Sequence, residues 1–233
     1  MITLYSYPEL FGVADNNPYG LKIFAFLKLC NLPFRHEHIL DPKDAPRGQL
    51  PYIADDDAHI GDSDAIVAHL IQKYGLEIDS GLTPAQCDAH LMIRRMLDDL
   101  YWVMSYSRWS DDRFWPSFRD AFLKAHPAVS AEALEGARKY NFQRYYYQGI
   151  GRFEPAAVYE RGLADLQTLA HLLPESGYML GPRPTSIDAA IYGFAANIYF
   201  YNIDTPLKAC VSSHPTLVKH CTQLHAAISA SGY

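Results

Sequence analysis

The sequence predicts an α+β protein in which a small mixed unit of order β-α-β, loop, β-β-α precedes an all-helical unit. Strand and helix patterns alternate as far as Tyr74, and strand patterns nearly vanish after residue 84. The polar stretch "EIDSGLTP", carrying one glycine and one proline, separates the two regimes. These observations divide the chain into units at residues 1–77 and 84–233, with a linker at 78–83.

Ile2–Tyr7 is short, apolar and partly β-branched, and reads as the first strand. From Leu21, the residues Leu21, Ile23, Phe24, Phe26, Leu27 and Cys30 recur at helical spacing, with Lys22 and Lys28 placed outward. Asn31-Leu32-Pro33 ends that helix, because the residue before a proline resists helical geometry. Phe34–Ile39 alternates as a strand, and the Pro-rich loop "LDPKDAPRGQ" follows. Tyr52–Ala54, a turn at Asp55-Asp56-Asp57 and His59–Ile60 form a hairpin. Ile66, Val67, Leu70, Ile71 and Tyr74 then give a helix over Ser63–Tyr74. Beyond the linker, helices are expected at 85–110, 132–148, 156–173, 186–201 and 215–230.

Of 233 residues, 49% are hydrophobic and 20% charged, a composition that builds cores and stays soluble. No apolar run reaches the roughly 20 residues of a membrane span, and the first residues lack the basic and apolar regions of a secretion signal. Cys30, Cys87, Cys210 and Cys221 are widely spaced with no CxxC, so reduced thiols and a cytoplasmic location are expected. Ten histidines include no HxxxH or HExxH, which disfavours a metal site. Residues 1–80 hold 6 Lys and Arg against 12 Asp and Glu, so the whole formal charge of −6 lies there. That balance disfavours a nucleic-acid surface, which would want a basic stripe, though helix-start N–H groups can still hold a small anion.

Three stretches carry candidate chemistry. In "DNNPYGLK", Asn17 precedes Pro18 at a helix start, where a side-chain oxygen caps the free N–H groups. In "GQLPYI", Pro51 stands just before a strand, a position suited to the first residue of a strand or to a cis bond. A cis bond would turn the Leu50 backbone toward the helix starting near Asn17, where an extended peptide could pair with it. In "GDSDAI", Ser63 is the expected N-cap; its hydroxyl and the helix-start N–H groups could hold a carboxylate, and Asp62 an ammonium group. Capping alone explains the same Ser63.

Taken in that order, the strand–loop–"NPYGLK", "QLPYI" and "GDSDAI" features resemble the thioredoxin-fold domain of the glutathione transferase superfamily. "GPRPTSIDAAIYG" resembles the same family's later helix-start motif, with Thr185 as cap and Asp188 closing a capping box. A narrower resemblance is to the branch of metaxins and failed-axon-connections (Fax) proteins with bacterial members. It rests on "YPELFGVADNNPYGLK", "DPKDAPRGQLPYI", "LYWVMSYSRW" and "YYYQGIGR". The resemblance implies a thioredoxin-like domain at 1–77, a helical domain after it, and glutathione as co-substrate. It also implies a small hydrophobic electrophile, no metal and a possible homodimer.

In that family a Ser or Cys at the first helix, or a Tyr near the end of the first strand, donates a hydrogen bond to the glutathione thiolate. Asn17 takes the Ser/Cys position and Gly20 that of a second cysteine, so exchange through an enzyme thiol is excluded. The Asn17 amide can still donate, with Tyr7 as the alternative and Ser6 behind it. Leu50, Pro51, Asp62, Ser63, Gln49 and Lys22 are the candidate glutathione contacts, and Arg47 stands in the same loop. Tyr101, Ser105, Arg108 and Trp109 share one helix face and form the candidate electrophile wall, where the bland alternative is core packing. Tyr145, Tyr146 and Tyr147 carry the same ambiguity, and residues 9–16 are expected to add to the cleft wall. A non-catalytic binding module and a glutathione-dependent reductase or isomerase are the competing functions.

Overall fold

The computed structural model describes residues 1–230. Strands β1 (Ile2–Ser6), β2 (Phe34–His38), β3 (Tyr52–Asp55) and β4 (Ala58–Gly61) form one sheet in the order β2-β1-β3-β4. β1 runs parallel to β2, with Ile2 opposite Phe34 and Leu4 opposite His36. It runs antiparallel to β3, where Leu4 faces Ile53. A parallel neighbour requires a crossover, and helix α1 (Pro18–Leu29) supplies it. α2 (Ser63–Tyr74) returns over the sheet after the β3–β4 hairpin.

Alternation puts Ile2, Leu4 and Ile53 on the inner face, where they meet Leu21, Phe26, Leu27, Ile66 and Leu70. The helical unit holds α3 (Pro84–Trp109), α4 (Trp115–Ala125), α5 (Ala131–Gln148), α6 (Pro155–Leu172), α7 (Ser186–Tyr199), α8 (Pro206–Ser213) and α9 (Pro215–Ala230). α4 and α8 were not expected. Each offers only about three core positions, Trp115, Phe118 and Phe122 in one and Leu207, Cys210 and Val211 in the other, too few for a period to stand out. Among the described residues, no helix is long and apolar enough to cross a membrane.

α7 joins the two units. It is buried along nearly its whole length, and Ala189, Tyr192, Ala195 and Ala196 enter the core that also holds α1. At Gly193 the helices touch: a Cβ there would lie 2.4 Å from the Pro18 carbonyl oxygen and 2.9 Å from the Lys22 nitrogen. The expected capping box starts α7, with Thr185 N–H and Oγ1–H donating to Asp188 Oδ2 at 2.8 and 2.9 Å. Asp188 Oδ1 also accepts from Met179 N–H (2.8 Å) and pairs with His220 Nε2 (2.9 Å).

Two sequence expectations change here. Lys22 does not point outward; it is 4% exposed, because its ammonium turns onto Ser63 and Asp64 at the start of α2 while Gly193 of α7 lies against its backbone. The cap of α2 is Asp62, not Ser63. Asp62 Oδ1 accepts from the N–H groups of Asp64 (3.0 Å) and Ala65 (3.1 Å), leaving Ser63 as the first helical residue.

Candidate functional site

Two adjoining cavities open where the start of α1 meets α3 and α5. One, about 470 Å³, is polar-walled by Gln49, Leu50, Pro51, Asp62, Ser63 and Asp64 from the sheet unit and Arg95 and Asp98 from α3. The other, about 340 Å³, is largely apolar and reaches Met104, Trp109, Phe122, Leu134 and Ala137. Tyr7, Asn17, Pro42, Tyr101, Tyr140 and Arg144 border both. The shared wall is where a group held in one cavity would meet a molecule in the other.

Asn17 caps α1. Its side-chain oxygen accepts the N–H of Tyr19 at 3.0 Å, and Pro18 fills the next position, where no N–H is needed. An amide oxygen can accept that N–H and an amide nitrogen cannot, so capping fixes the orientation of the group. Nδ2 has no protein acceptor among the described residues and belongs to a side chain bordering both cavities. Capping and donating therefore use different atoms of one side chain.

The segment before Asn17 is clamped from the helical unit. Arg108, 8% exposed, donates to the carbonyl of Asn16 and, through Nη2, to the carbonyl of Asn197 at 2.7 Å. Asn197 Nδ2 donates to the Asp15 carbonyl at 3.1 Å, and the Arg108 guanidinium lies 4.8 Å from the Tyr201 ring centre. Arg108 lines the apolar cavity, with its guanidinium committed to the Asn16 carbonyl and to the carbonyl and side-chain oxygens of Asn197. Ser105 lines the same cavity, as do Tyr101 and Trp109, and is bonded to the Tyr145 hydroxyl at 2.7 Å. Of residues 9–16, Asn16 borders a cavity, whereas Leu10 and Val13 are buried in the core.

Asp15 lies wholly buried beneath this turn. Oδ1 accepts the Asn17 N–H at 2.6 Å, and Oδ2 has no partner. Burial pushes its carboxyl up to about 8, so it is mostly protonated near neutrality. Burial also raises the Tyr7 phenol to about 12, which keeps it a neutral O–H donor. Ser6 Oγ is buried against His36 Nε2 at 2.7 Å and borders neither cavity, which corrects its candidacy as a donor.

On the polar side, Leu50-Pro51 is cis, and the Leu50 backbone groups have no protein partner among the described residues. Ser63 Oγ accepts from Lys22 Nζ at 3.0 Å, which leaves its own proton free to donate. Lys22 also pairs with Asp64 at 2.5 Å; burial pulls its ammonium down despite that carboxylate. Lys22 borders neither cavity, so it supports Ser63 and does not reach a ligand directly. Asp62 divides its carboxylate between the α2 cap and Arg47 at 3.3 Å. Its φ of 76° is strained for a side chain other than glycine.

Arg144, Tyr140, Asp98 and Asp15 were not singled out in the sequence. Arg144 stands beside the quoted "YYYQGIGR" and three residues from Asn141, so its helix face was readable, but not the cavity it meets. Of the tyrosine trio, Tyr145 is buried while Tyr146 and Tyr147 are exposed.

A four-stranded mixed sheet, a capped helix start at a cleft and a helical unit closing it define a two-unit protein with a thioredoxin-like first unit. Family models match on both units: the glutathione S-transferase N-terminal domain over residues 18–114 and the glutathione S-transferase C-terminal domain over residues 162–224. An isoprene-epoxide–glutathione S-transferase of Rhodococcus sp. (strain AD45) is 32% identical over 208 residues, 85% of this chain and 87% of that protein. The failed axon connections protein of Drosophila melanogaster is 26% identical, with 96% of this chain and 57% of that protein covered. A glutathione S-transferase from Methylobacterium radiotolerans, solved with glutathione sulfonate, shares the fold at a TM-score of 0.63 and 18% identity, covering 99% of this chain and 93% of that one. The chain belongs to the glutathione S-transferase family.

Proposed function

We propose that the protein binds glutathione in the polar cavity and conjugates it to a small hydrophobic electrophile held in the apolar one. Residues 1–77 would carry the glutathione and residues 84–233 most of the electrophile wall. The observation that carries this is the division of labour within Asn17: its oxygen is committed to Tyr19 N–H, and its nitrogen remains for a sulfur at the shared wall.

Glutathione suits the polar side group by group. The cysteinyl backbone pairs with Leu50, and the γ-glutamyl carboxylate meets the Ser63 hydroxyl at the positive end of α2. Gln49 stands beside them, and Asp62 and Asp98 offer carboxylates to the ammonium group. The sulfur then lies near Asn17 Nδ2 and the Tyr7 hydroxyl, where donors and the α1 N-terminus favour the thiolate. The Rhodococcus relative supports an epoxide as electrophile by its name.

The alternative is a binding module without turnover. The likeness to the Drosophila protein favours it, as do Tyr146, Tyr147 and Phe153, which are exposed outside the cleft. Titration calorimetry with glutathione, on wild type and Ser63→Ala, separates the two. Binding that weakens in Ser63→Ala supports the transferase, and no heat at millimolar glutathione supports the module.

A further inference from the structure

Helix α5 turns aromatic side chains outward as well as inward. Leu134, Asn141 and Tyr145 are its buried residues, and Leu134 and Ala137 line the apolar cavity. On a helix that only closes a cavity, the opposite face is polar. Here it carries Phe142, Tyr146 and Tyr147, with Phe153 just beyond the helix end; Tyr146 is 57% exposed and Tyr147 79%. Tyr140, Phe142, Tyr146, Tyr147 and Phe153 make up five of the eleven exposed large hydrophobics among the described residues. Scattered exposed apolar residues need no explanation, but a contiguous set marks a surface that something covers.

The rings are interleaved with cations. The Arg152 guanidinium lies 4.5 Å from the Tyr146 ring centre, and the rings of Tyr146 and Tyr147 are 5.7 Å apart. Phe142 sits one turn before Tyr146 on the same face, with Arg138 5.1 Å from its ring centre, and Lys139 one turn earlier again. Between Glu135 and Glu154 the chain holds four Lys and Arg and no acid, although its formal charge is −6. Arg35, Arg47, Arg119 and Arg161 each pair with a carboxylate. Among the described residues no carboxylate pairs with Lys139 or with Arg152, whose Nε donates to the Tyr146 carbonyl at 3.0 Å.

These residue types select the occupant. Tyr, Phe and Arg are the side chains enriched at the centres of protein interfaces. A helix that settles on a bilayer separates its apolar face from its basic one, whereas here rings and cations share one face. A nucleic acid tracks a longer basic groove, and Glu135 and Glu154 bound this stretch. From Lys139 to Tyr147 the face runs about 12 Å, at 1.5 Å per residue, which suits a short segment. We propose that the outer face of α5, centred on Tyr146, Tyr147 and Arg152, docks an acidic, partly apolar segment of a partner protein. Its carboxylates meet Lys139 and Arg152 and orient it, while its apolar side chains cover the rings. The proposal goes beyond conjugation, because docking and the cavity use opposite sides of α5.

The probe is a random copolymer of glutamate and tyrosine, set beside polyglutamate, equimolar phosphatidylserine–phosphatidylcholine vesicles and an oligothymidylate. Binding is measured on wild type, Arg152→Glu, the double variant Tyr146→Ser/Tyr147→Ser, and Arg35→Glu, which makes the same charge change on β2. Arg152→Glu and the double variant should each weaken copolymer binding about tenfold, the scale of an interface hot spot. Arg35→Glu should stay within about threefold of wild type, polyglutamate should bind less tightly than the copolymer, and melting temperatures should hold, since the altered side chains are exposed. Equal weakening in Arg35→Glu, equal binding of polyglutamate, or no copolymer binding at millimolar concentration overturns the proposal. So does tighter, Arg152-dependent binding of the vesicles or the oligonucleotide, which would make this a lipid or nucleic-acid surface. A wild-type dimer in sedimentation velocity that the double tyrosine variant converts to monomer would also overturn it, by assigning the face to a second copy.

Discussion

A Cβ on Gly20 would fall 1.6 Å from Oδ2 of Asp15. The buried carboxyl therefore occupies the space that a side chain at position 20 would take, and the two residues fit only as a pair. Gly20→Ala should displace Asp15, release its bond to Asn17 N–H and cost about 1–3 kcal/mol, as overpacking of a tight site does. Coupling measured by a double-mutant cycle with Asp15→Gly should be large and favourable. Additive losses would show that the two do not share the space.

Asp15 also gives a pH signature. Its folded carboxyl titrates at about 8, against a reference value of 3.8. A raised acid binds its proton more tightly when folded, so its contribution is complete below pH 4 and declines as pH rises toward 8, flattening beyond. Asn matches the protonated acid in shape, keeps the oxygen that accepts from Asn17 N–H, and does not titrate. Asp15→Asn should therefore gain on wild type by up to about 1.4 kcal/mol per pH unit between pH 4 and 8. Urea midpoints at pH 5, 7 and 9 check this; a gap that does not widen between pH 5 and 7 rejects it.

At Asn17 the capping atom and the donor atom can be varied separately. Asp is an equally good cap but has no N–H and adds a negative charge, whereas Ser caps and keeps a donor. Asn17→Asp should hold its melting temperature yet lose about 10- to 100-fold in kcat/KM, the equivalent of about 1.5–3 kcal/mol for a charge-assisted bond. Asn17→Ser should retain most of the rate. Full activity in Asn17→Asp would assign the thiolate to Tyr7, and Tyr7→Phe would then show the loss.

Much of this was legible in the sequence because the signals are local. The alternation of β1, the Asn-Pro helix start and the Thr185–Asp188 capping box each lie within a few residues of chain, and all three stand in the structure. What failed depended on partners distant in sequence. Lys22 looks solvated on a helix wheel, but Ser63 and Asp64 of α2 take its ammonium and α7 crosses its backbone at Gly193, so it is buried. Arg108 sits on the expected face, but its carbonyl partners come from residues 16 and 197. Ser63 and Asp62 are both good caps; the backbone at Asp62, with φ at 76°, decided between them.

The Asp188 network should govern acid stability. Burial pushes its carboxyl up, but the bond from His220 and the N–H groups of Met179 and Thr185 outweigh burial and hold it below the usual range. A lowered acid contributes stability that is complete above about pH 4 and is lost as pH falls through the folded value. Asp188→Asn should therefore be most costly at neutral pH and converge on wild type in acid. Asp188→Ala, which leaves His220 and two N–H groups unpaired, should cost about 3–5 kcal/mol at pH 7. A pH-independent gap for Asp188→Asn would count against the carboxylate as the stabilising form.

Lys22 connects folding to ligand binding through Ser63. While Lys22 Nζ occupies a lone pair of Ser63 Oγ, the Ser63 proton is directed away from the ammonium and can reach a ligand carboxylate. Replacing Lys22 by Met removes that constraint and frees Asp64, which becomes a competing acceptor for the hydroxyl. Asp64 keeps Arg94 at 3.1 Å and is 32% exposed, so the stability loss should be a moderate 1–3 kcal/mol, about half that of a fully buried broken pair. The glutathione Kd should rise about tenfold, the loss of one bond to a charged group. Calorimetry on Lys22→Met alone and combined with Ser63→Ala decides the route. If Lys22 acts through Ser63, the double variant binds no more weakly than Ser63→Ala. A further drop in the double variant would mean that Lys22 shapes the cleft by another path, such as the packing of α1 against α2.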